Sequence, residues 1–345
     1  DVPAILGMPA QIYTLSTKVY LLTQTGNYAA ASVLGVVFLS AAVVVVLLYA
    51  RAVRGIERFS TITGKGYRPR AMPLGRLRYP ALALVALYLF VVAAAPILIT
   101  LWASVLPFYR APSVDAIQYV TFESYTRLFE TPRRAVTVWN SLIVTFAAPT
   151  IALLVVTPIS WFVVRTRIRG RRLLDIIAFL PHTVPSSVIA LAVVYLFLGT
   201  PWGLLPIYGT AWIIVFALAV RHFAYGSRQM HSAMIQLHKD LEEAGYVSGV
   251  PWRKTLTRII VPLVAPSVIA AWVFMAMTSV RDTTMALMLG STSNRVLPLL
   301  MWDAWQIGSY NDAAAGGMVL LAFVVVILVV GAIVQRTRIG RPGAA

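Results

Sequence analysis

The sequence predicts an all-α, polytopic membrane protein. Of its 345 residues, 59% are hydrophobic and only 12% charged. Its mean hydropathy is +0.79, and its apolar residues gather in runs near the ~20 residues that a bilayer-spanning helix needs. A soluble core of this size cannot bury that much apolar surface.

Apolar runs at 28–50, 81–105, 138–164, 173–198, 210–225, 264–280 and 313–334 predict seven spanning helices. In the shortest, the purely apolar part ends at Val220, before Arg221 and His222, so its helix is expected to continue past the membrane surface. Pro181 and Pro185 fall in the fourth run, where each removes a backbone hydrogen bond. They read either as a loosened, moving helix or as a fixed kink. His182 between them reads as a channel-facing group or as a hydrogen-bonded packing residue. Arg281 and Asp282, at the outer end of the sixth run, either line the path from a binding protein into the channel or form a paired rim charge.

The net charge of +17 could suggest nucleic acid, but its distribution argues for a membrane. Arginines and lysines crowd alternate loops: Arg51 to Arg78 after the first run, Arg165 to Arg172 after the third, Arg221 to Arg258 after the fifth, and Arg336 to Arg341 after the seventh. Those loops are cytoplasmic by the positive-inside rule. The loops between them hold Asp115, Glu123, Glu130, Asp282, Asp303 and Asp312 and face outward, which puts residue 1 outside. With no cysteine there is no disulfide framework or thiolate metal site. His222, His231 and His238 have no acidic partners at ligand spacing, so the sequence predicts no metal site. No nucleophile and base stand together either. The chain opens without Met or a signal-like segment and is expected to be cut from a longer one.

An internal repeat supports that expectation. GNYAAAS at 26–32 sits against YNDAAAG at 310–316, an offset of 284 residues, and each leads into a Val-rich helix ending in arginines. Asp1 and Gly7 similarly parallel Asp282 and Gly290. The alternative is that two Ala-rich helix starts agree by composition. Duplication makes residues 1–55 the end of a first half, 56–78 a basic cytoplasmic linker, and 79–345 a complete six-helix second half.

The segment 236–262 predicts helix, tight corner, helix. Leu237, Leu241, Ala244 and Val247 recur at helical spacing, with Asp240, Glu242 and Glu243 near the start, where carboxylates suit the dipole. Gly249 can supply a left-handed C-terminal cap, and Pro251 can open the next helix. Pro262 is expected to close that helix just before the membrane.

Glu243-Ala244-Gly245, then Gly249, then Ile259 and Val261-Pro262, resembles the EAA loop of binding-protein-dependent ABC importer permeases. Gly245 stands for the second alanine of that pattern and Val261 for its leucine. The resemblance implies a type I ABC importer permease fold. It also implies that the loop docks on an ATP-binding-cassette ATPase dimer. Glu243 would make polar contacts there, Ala244 and Gly245 would allow close approach, Gly249 would form the corner, and Ile259 and Pro262 would fix the second helix. No cofactor is implied on this chain; ATP and Mg belong to the partner ATPase. Thr63-Gly64-Lys65-Gly66 lacks the pattern of a phosphate-binding loop and reads as linker.

DVPAILGMP, TITGKGYRPR with LGRLRYP, and the RDTTMALML to NDAAA segment resemble fused two-half permeases for ferric iron and related solutes. This implies an inner-membrane location and a periplasmic or lipid-anchored solute-binding protein. Ferric iron is the first expectation for cargo, with aminoethylphosphonate, thiamine or polyamine as alternatives. An ion-gradient transporter normally places ionisable residues at span centres, and these runs hold almost none.

Overall fold

The computed structural model describes residues 7, 10–52, 75–166, 168–198, 207–237 and 240–339. Asp1, most of the 56–78 linker with Thr63-Gly64-Lys65-Gly66, and His238 lie outside the described residues. The regular structure described is helical throughout. A short α1 (Leu15–Gln24), capped by the Thr14 hydroxyl, leads into α2 (Tyr28–Ala52). A rod of α3 (Arg78–Leu89), one π turn (Phe90–Ala94) and α4 (Ala95–Ser104) follows. The next connection carries α5 (Glu123–Arg127) and reaches α6 (Pro132–Arg165), whose Thr131 accepts the Arg134 N–H and whose Pro132 needs no intrahelical donor. Then come α7 (Arg171–Phe179), α8 (Ser186–Leu198) and α9 (Ala211–Gln236). The loop helices α10 (Asp240–Val247) and α11 (Trp252–Thr255) precede α12 (Val261–Val280). The short α13 (Thr283–Leu289) and α14 (Leu297–Gln306) lead to α15 (Tyr310–Ile339).

Among the described residues, five helices are long and apolar enough to cross a membrane: α2, the α3–α4 rod, α6, α12 with the turn before it, and α15. The two remaining predicted spans are not among these five. The 173–198 run is broken: α7 stops at Phe179, Leu180–His182 is a 3₁₀ turn, and α8 begins only at Ser186. Pro181 and His182 therefore lie in the break, and Pro185 sits just before α8, none of them inside a membrane helix. Two prolines four residues apart deny the helix two donors, and α7 carries Arg171, Arg172 and Asp175, which favour a helix lying at the surface. The 210–225 run is too short. As expected, its helix continues past the apolar part: α9 is 26 residues long, about 39 Å at 1.5 Å per residue, so Arg221 and His222 lie within it.

α6 and α9 form the centre of the bundle. One buried cluster joins Val144, Ala148, Ile213, Ile214 and Leu218 of their first halves to Met285 and Met288 of α13. A second joins Leu153, Val156, Met230, Met234, Val264 and Met275 toward the end near α10. Ser160 Oγ donates to the Ser227 carbonyl at 3.2 Å, and Trp272 Nε1 donates to Thr150 Oγ1 at 2.9 Å, tying α9 and α12 to α6. At the outer end, fully buried Asn294 donates to the carbonyls of Thr210 and Leu289 and accepts the Ser291 N–H. That side chain pins the α13–α14 connection onto the start of α9.

Two similar helix–corner units occur, in a register other than that of the alanine runs. α1 and α14 are each 10 residues long. Each ends in a corner whose glycine has positive φ, Gly26 at 74° and Gly308 at 79°. Asn27 N–H donates to Leu22 O at 2.8 Å, and Ser309 N–H to Ala304 O at 2.9 Å. The common offset is 282 residues, from Gly26 to Gly308 and from Tyr28 to Tyr310, rather than the 284 that the alanine runs suggest. Alanine runs slide along each other freely, whereas a corner fixes the register.

Candidate coupling loop and translocation path

The loop after α9 is held from the start. Arg165, the last residue of α6, donates to the carbonyls of Met234 at 2.9 Å and Leu237 at 2.6 Å. These are orphan acceptors at the end of α9, which a guanidinium suits in both charge and geometry. The sequence offered Arg165 only as one loop cation among several; its partners are 69 and 72 residues away.

α10 ends at Gly249, whose φ of 68° is the left-handed conformation that side chains disfavour. The Val250 N–H reaches back to the Gly245 carbonyl at 3.0 Å, closing a Schellman-type cap. α10 then folds back on α11. A Cβ on Gly245 would stand 2.8 Å from Thr255 Oγ1 and 3.2 Å from its Cγ2, so any larger residue there must displace the Thr255 side chain. Glu243 and Ala244 are exposed on the opposite side, with Val247 85% exposed beside them. The second helix differs from expectation in one respect. α11 runs through a π turn (Leu256–Ile260) straight into α12, so Pro262 opens a membrane helix at its first turn and closes none. Ile259 is half-buried in that turn.

The path residues divide differently. Asp282 does not pair with Arg281, which is exposed. Asp282 pairs with Arg221 of α9, and its other oxygen accepts the Met285 N–H at 2.8 Å, capping α13. Beside it His222 Nε2 meets Ser279 Oγ at 2.7 Å in a buried contact between α9 and α12. Down the less buried side of α9 run Arg221, Tyr225, Arg228, Gln229, Ser232 and Gln236, a polar stripe at helical spacing. Gln229 donates to the Tyr225 hydroxyl at 2.9 Å, and Tyr225 stacks on Phe274 at 4.3 Å. Arg228 reaches Asp175 at 3.3 Å and lies over the Phe179 ring at 4.5 Å, holding α7 against α9. Polar side chains on a membrane helix favour a water-filled cavity over lipid. Pro181 and Pro185 stand at the far end of α7 from its arginines. No group of three or more potential metal ligands occurs among the described residues.

A family model described as binding-protein-dependent transport system inner membrane component matches residues 157–339. The chain is 26% identical over 352 residues to the ferric transport system permease protein FbpB of Actinobacillus pleuropneumoniae, covering 99% of this chain and 49% of that one. It is 27% identical over 304 residues to the putative ferric transport system permease protein FbpB 1 of Haemophilus influenzae, covering 85% and 46%. The chain thus spans about half the length of the curated relatives it matches. Among solved structures, a bacterial ABC transporter involved in the import of the acidic polysaccharide alginate is similar in fold. Its TM-score is 0.59 at 17% identity, covering 76% of this chain and 96% of that one.

Proposed function

The chain belongs to the family of binding-protein-dependent transport system inner membrane components, and from that premise we propose that it forms part of the permease of an ABC importer. It passes a small solute, ferric iron first, from a periplasmic or lipid-anchored solute-binding protein to the cytoplasm. ATP and Mg are used by a separate ATPase dimer, and this chain hydrolyses nothing. The α10–α11 pair is the coupling element, with Glu243 and Ala244 facing the ATPase and Gly245, Gly249, Ile259 and Pro262 setting its shape. The observation that carries this reading is an exposed two-helix knob, closed by a left-handed glycine and clamped by Arg165 to the end of the central bundle. Such a rigid body transmits displacement from ATPase closure to α9 and α12.

Residues 1–55 are read as the end of a first permease half, 56–78 as the linker and 79–345 as the second half. The twice-used corner at Gly26 and Gly308 supports that division. The solute path is assigned to the α9 stripe and the Arg221–Asp282 pair, with the Pro181–Pro185 break, including His182, and Arg281 flanking it. The ferric cargo follows from the relatives' names alone.

The test is ATP-driven uptake by the full-length parent, reconstituted with its ATPase and binding protein in vesicles. Ferric iron, aminoethylphosphonate, thiamine and spermidine are offered side by side. Iron uptake supports the whole reading, another solute replaces the cargo, and uptake without ATP overturns the machine. Gly249→Pro, which cannot adopt the 68° φ, is expected to abolish uptake while the protein remains in the membrane.

A further inference from the structure

Two adjoining cavities of about 390 and 370 Å³ open at the outer end of α6, sharing Arg133, Thr137, Thr292 and Arg295. The larger is lined by four arginines against two aspartates. Arg127 reaches Asp312 at 3.0 Å and Arg295 reaches Asp303 at 3.1 Å. Arg134 donates to the Arg127 carbonyl. Arg133 is exposed and has no carboxylate partner among the described residues.

This excess of positive charge stands where a helix favours it least. Arg133 and Arg134 occupy the first turn of α6, which contains no acidic residue. The N-terminus of a 34-residue helix is itself the positive end of a dipole. A carboxylate there would be stabilised, whereas two guanidinium groups are repelled, and a bound anion reverses the sign of that interaction. The opposite wall is built before any ligand arrives. Asn140 Nδ2 donates to the Arg295 carbonyl at 3.0 Å, and Ser141 Oγ accepts the Leu297 N–H at 2.7 Å, fixing the 292–297 segment against α6.

We propose that this cavity binds a small oxyanion of the phosphate, phosphonate or carboxylate type. The anion is gripped by Arg133 and Arg295, with the Thr292 hydroxyl at its edge. Its role in cargo delivery rests on the transport reading above: the cargo meets the permease either as a free oxyanion or as a metal ion wrapped in one. A bare trivalent cation would be repelled here. The concave shape favours a small ligand over a docking protein.

The test is calorimetric titration of the full-length parent in lipid nanodiscs at low salt with inorganic phosphate, 2-aminoethylphosphonate and ferric citrate. Saturable binding is expected. It should weaken about tenfold or more when Arg133→Gln and Arg295→Gln are combined, a loss of at least about 1.4 kcal/mol. Arg110→Gln, at an outer arginine that lies over Tyr119 and outside both cavities, should leave it unchanged. Tighter phosphate or phosphonate assigns a free anion, and tighter ferric citrate assigns iron wrapped in its ligand. The site is overturned by absence of saturable binding, by binding that the double variant leaves intact, or by a double variant that loses only its association with the binding protein. The titration needs no ATPase, so failed uptake with intact binding would remove the transport reading alone.

Discussion

At Gly245 the distance to Thr255 sets a sharp limit. Thr255 is buried and β-branched, so its side chain has little freedom to retreat from a Cβ placed 2.8 Å from Oγ1. Gly245→Val is therefore expected to lever α10 away from α11 and to lower ATP-driven uptake at least tenfold, with membrane content unchanged on immunoblots. Thr255→Ala removes both close atoms, so Gly245→Ala combined with Thr255→Ala should recover most of the uptake. Failure of that rescue would mean that the glycine serves something other than helix contact. Arg221 and Asp282 make a second residue-scale case. Breaking a buried pair costs about 3–5 kcal/mol. The cost here should be smaller, because the Arg221 side chain is 41% exposed while that of Asp282 is 7% exposed. Asp282→Asn keeps an N-cap acceptor for α13 but loses the charge; Asp282→Ala loses both. Thermal unfolding in detergent should rank them wild type, Asn, Ala, with Arg221→Met restoring part of the loss in the Asn variant. Equal melting of the Asn and Ala variants would show that the cap contributes nothing. The sequence pointed to Asp282 but named the wrong partner, because a pairing 61 residues apart is created by the packing of α9 on α12 and α13.

Among the elements, the coupling loop was the most legible, since every signal in it is local: first-turn carboxylates, Gly249, Pro251. Its anchor was not, because Arg165 belongs to a different helix. If Arg165 clamps the end of α9, its loss should loosen the loop without touching it. Arg165→Gln is expected to raise amide exchange across residues 237–250, with Arg165→Lys intermediate, since a lysine keeps the charge but its shorter, flexible ammonium is less well placed to reach both carbonyls. Unchanged exchange would leave Arg165 a mere surface charge. The α7–α8 break was misread for a related reason. Hydropathy summed along 173–198 registers Ile176, Ile177 and the apolar α8 as one run, and is blind to the surface-seeking pattern of Arg171, Arg172 and Asp175. The prolines read as loosening or kinking one helix, whereas α7 stops at Phe179 and α8 starts only at Ser186. The repeated corner shows the converse: low-complexity alanines gave an offset two residues away from the one that the hydrogen bonds define.

For the whole molecule, orientation rests on the balance of charges between the two sides, and the absence of cysteine makes it directly measurable. These 345 residues hold no thiol, so in a full-length parent with any other cysteines replaced by serine, a single introduced cysteine is the only target for a membrane-impermeant maleimide. Ser113, in the connection before α5, and Ser248, beside the Gly249 corner, are both exposed. Polar-to-thiol changes at such positions should disturb folding by less than about 0.5 kcal/mol. If the arginine-rich loops are cytoplasmic, Ser113→Cys labels in intact cells and Ser248→Cys labels only after the membrane is inverted. The outer cations at Arg127, Arg133, Arg134 and Arg295 run against the general asymmetry, which makes this more than a formality. Labelling of Ser248→Cys from outside would put the α10–α11 knob beyond the reach of any cytoplasmic ATPase. It would also turn the arginine cavity toward the cytoplasm, so coupling and anion capture would fall together.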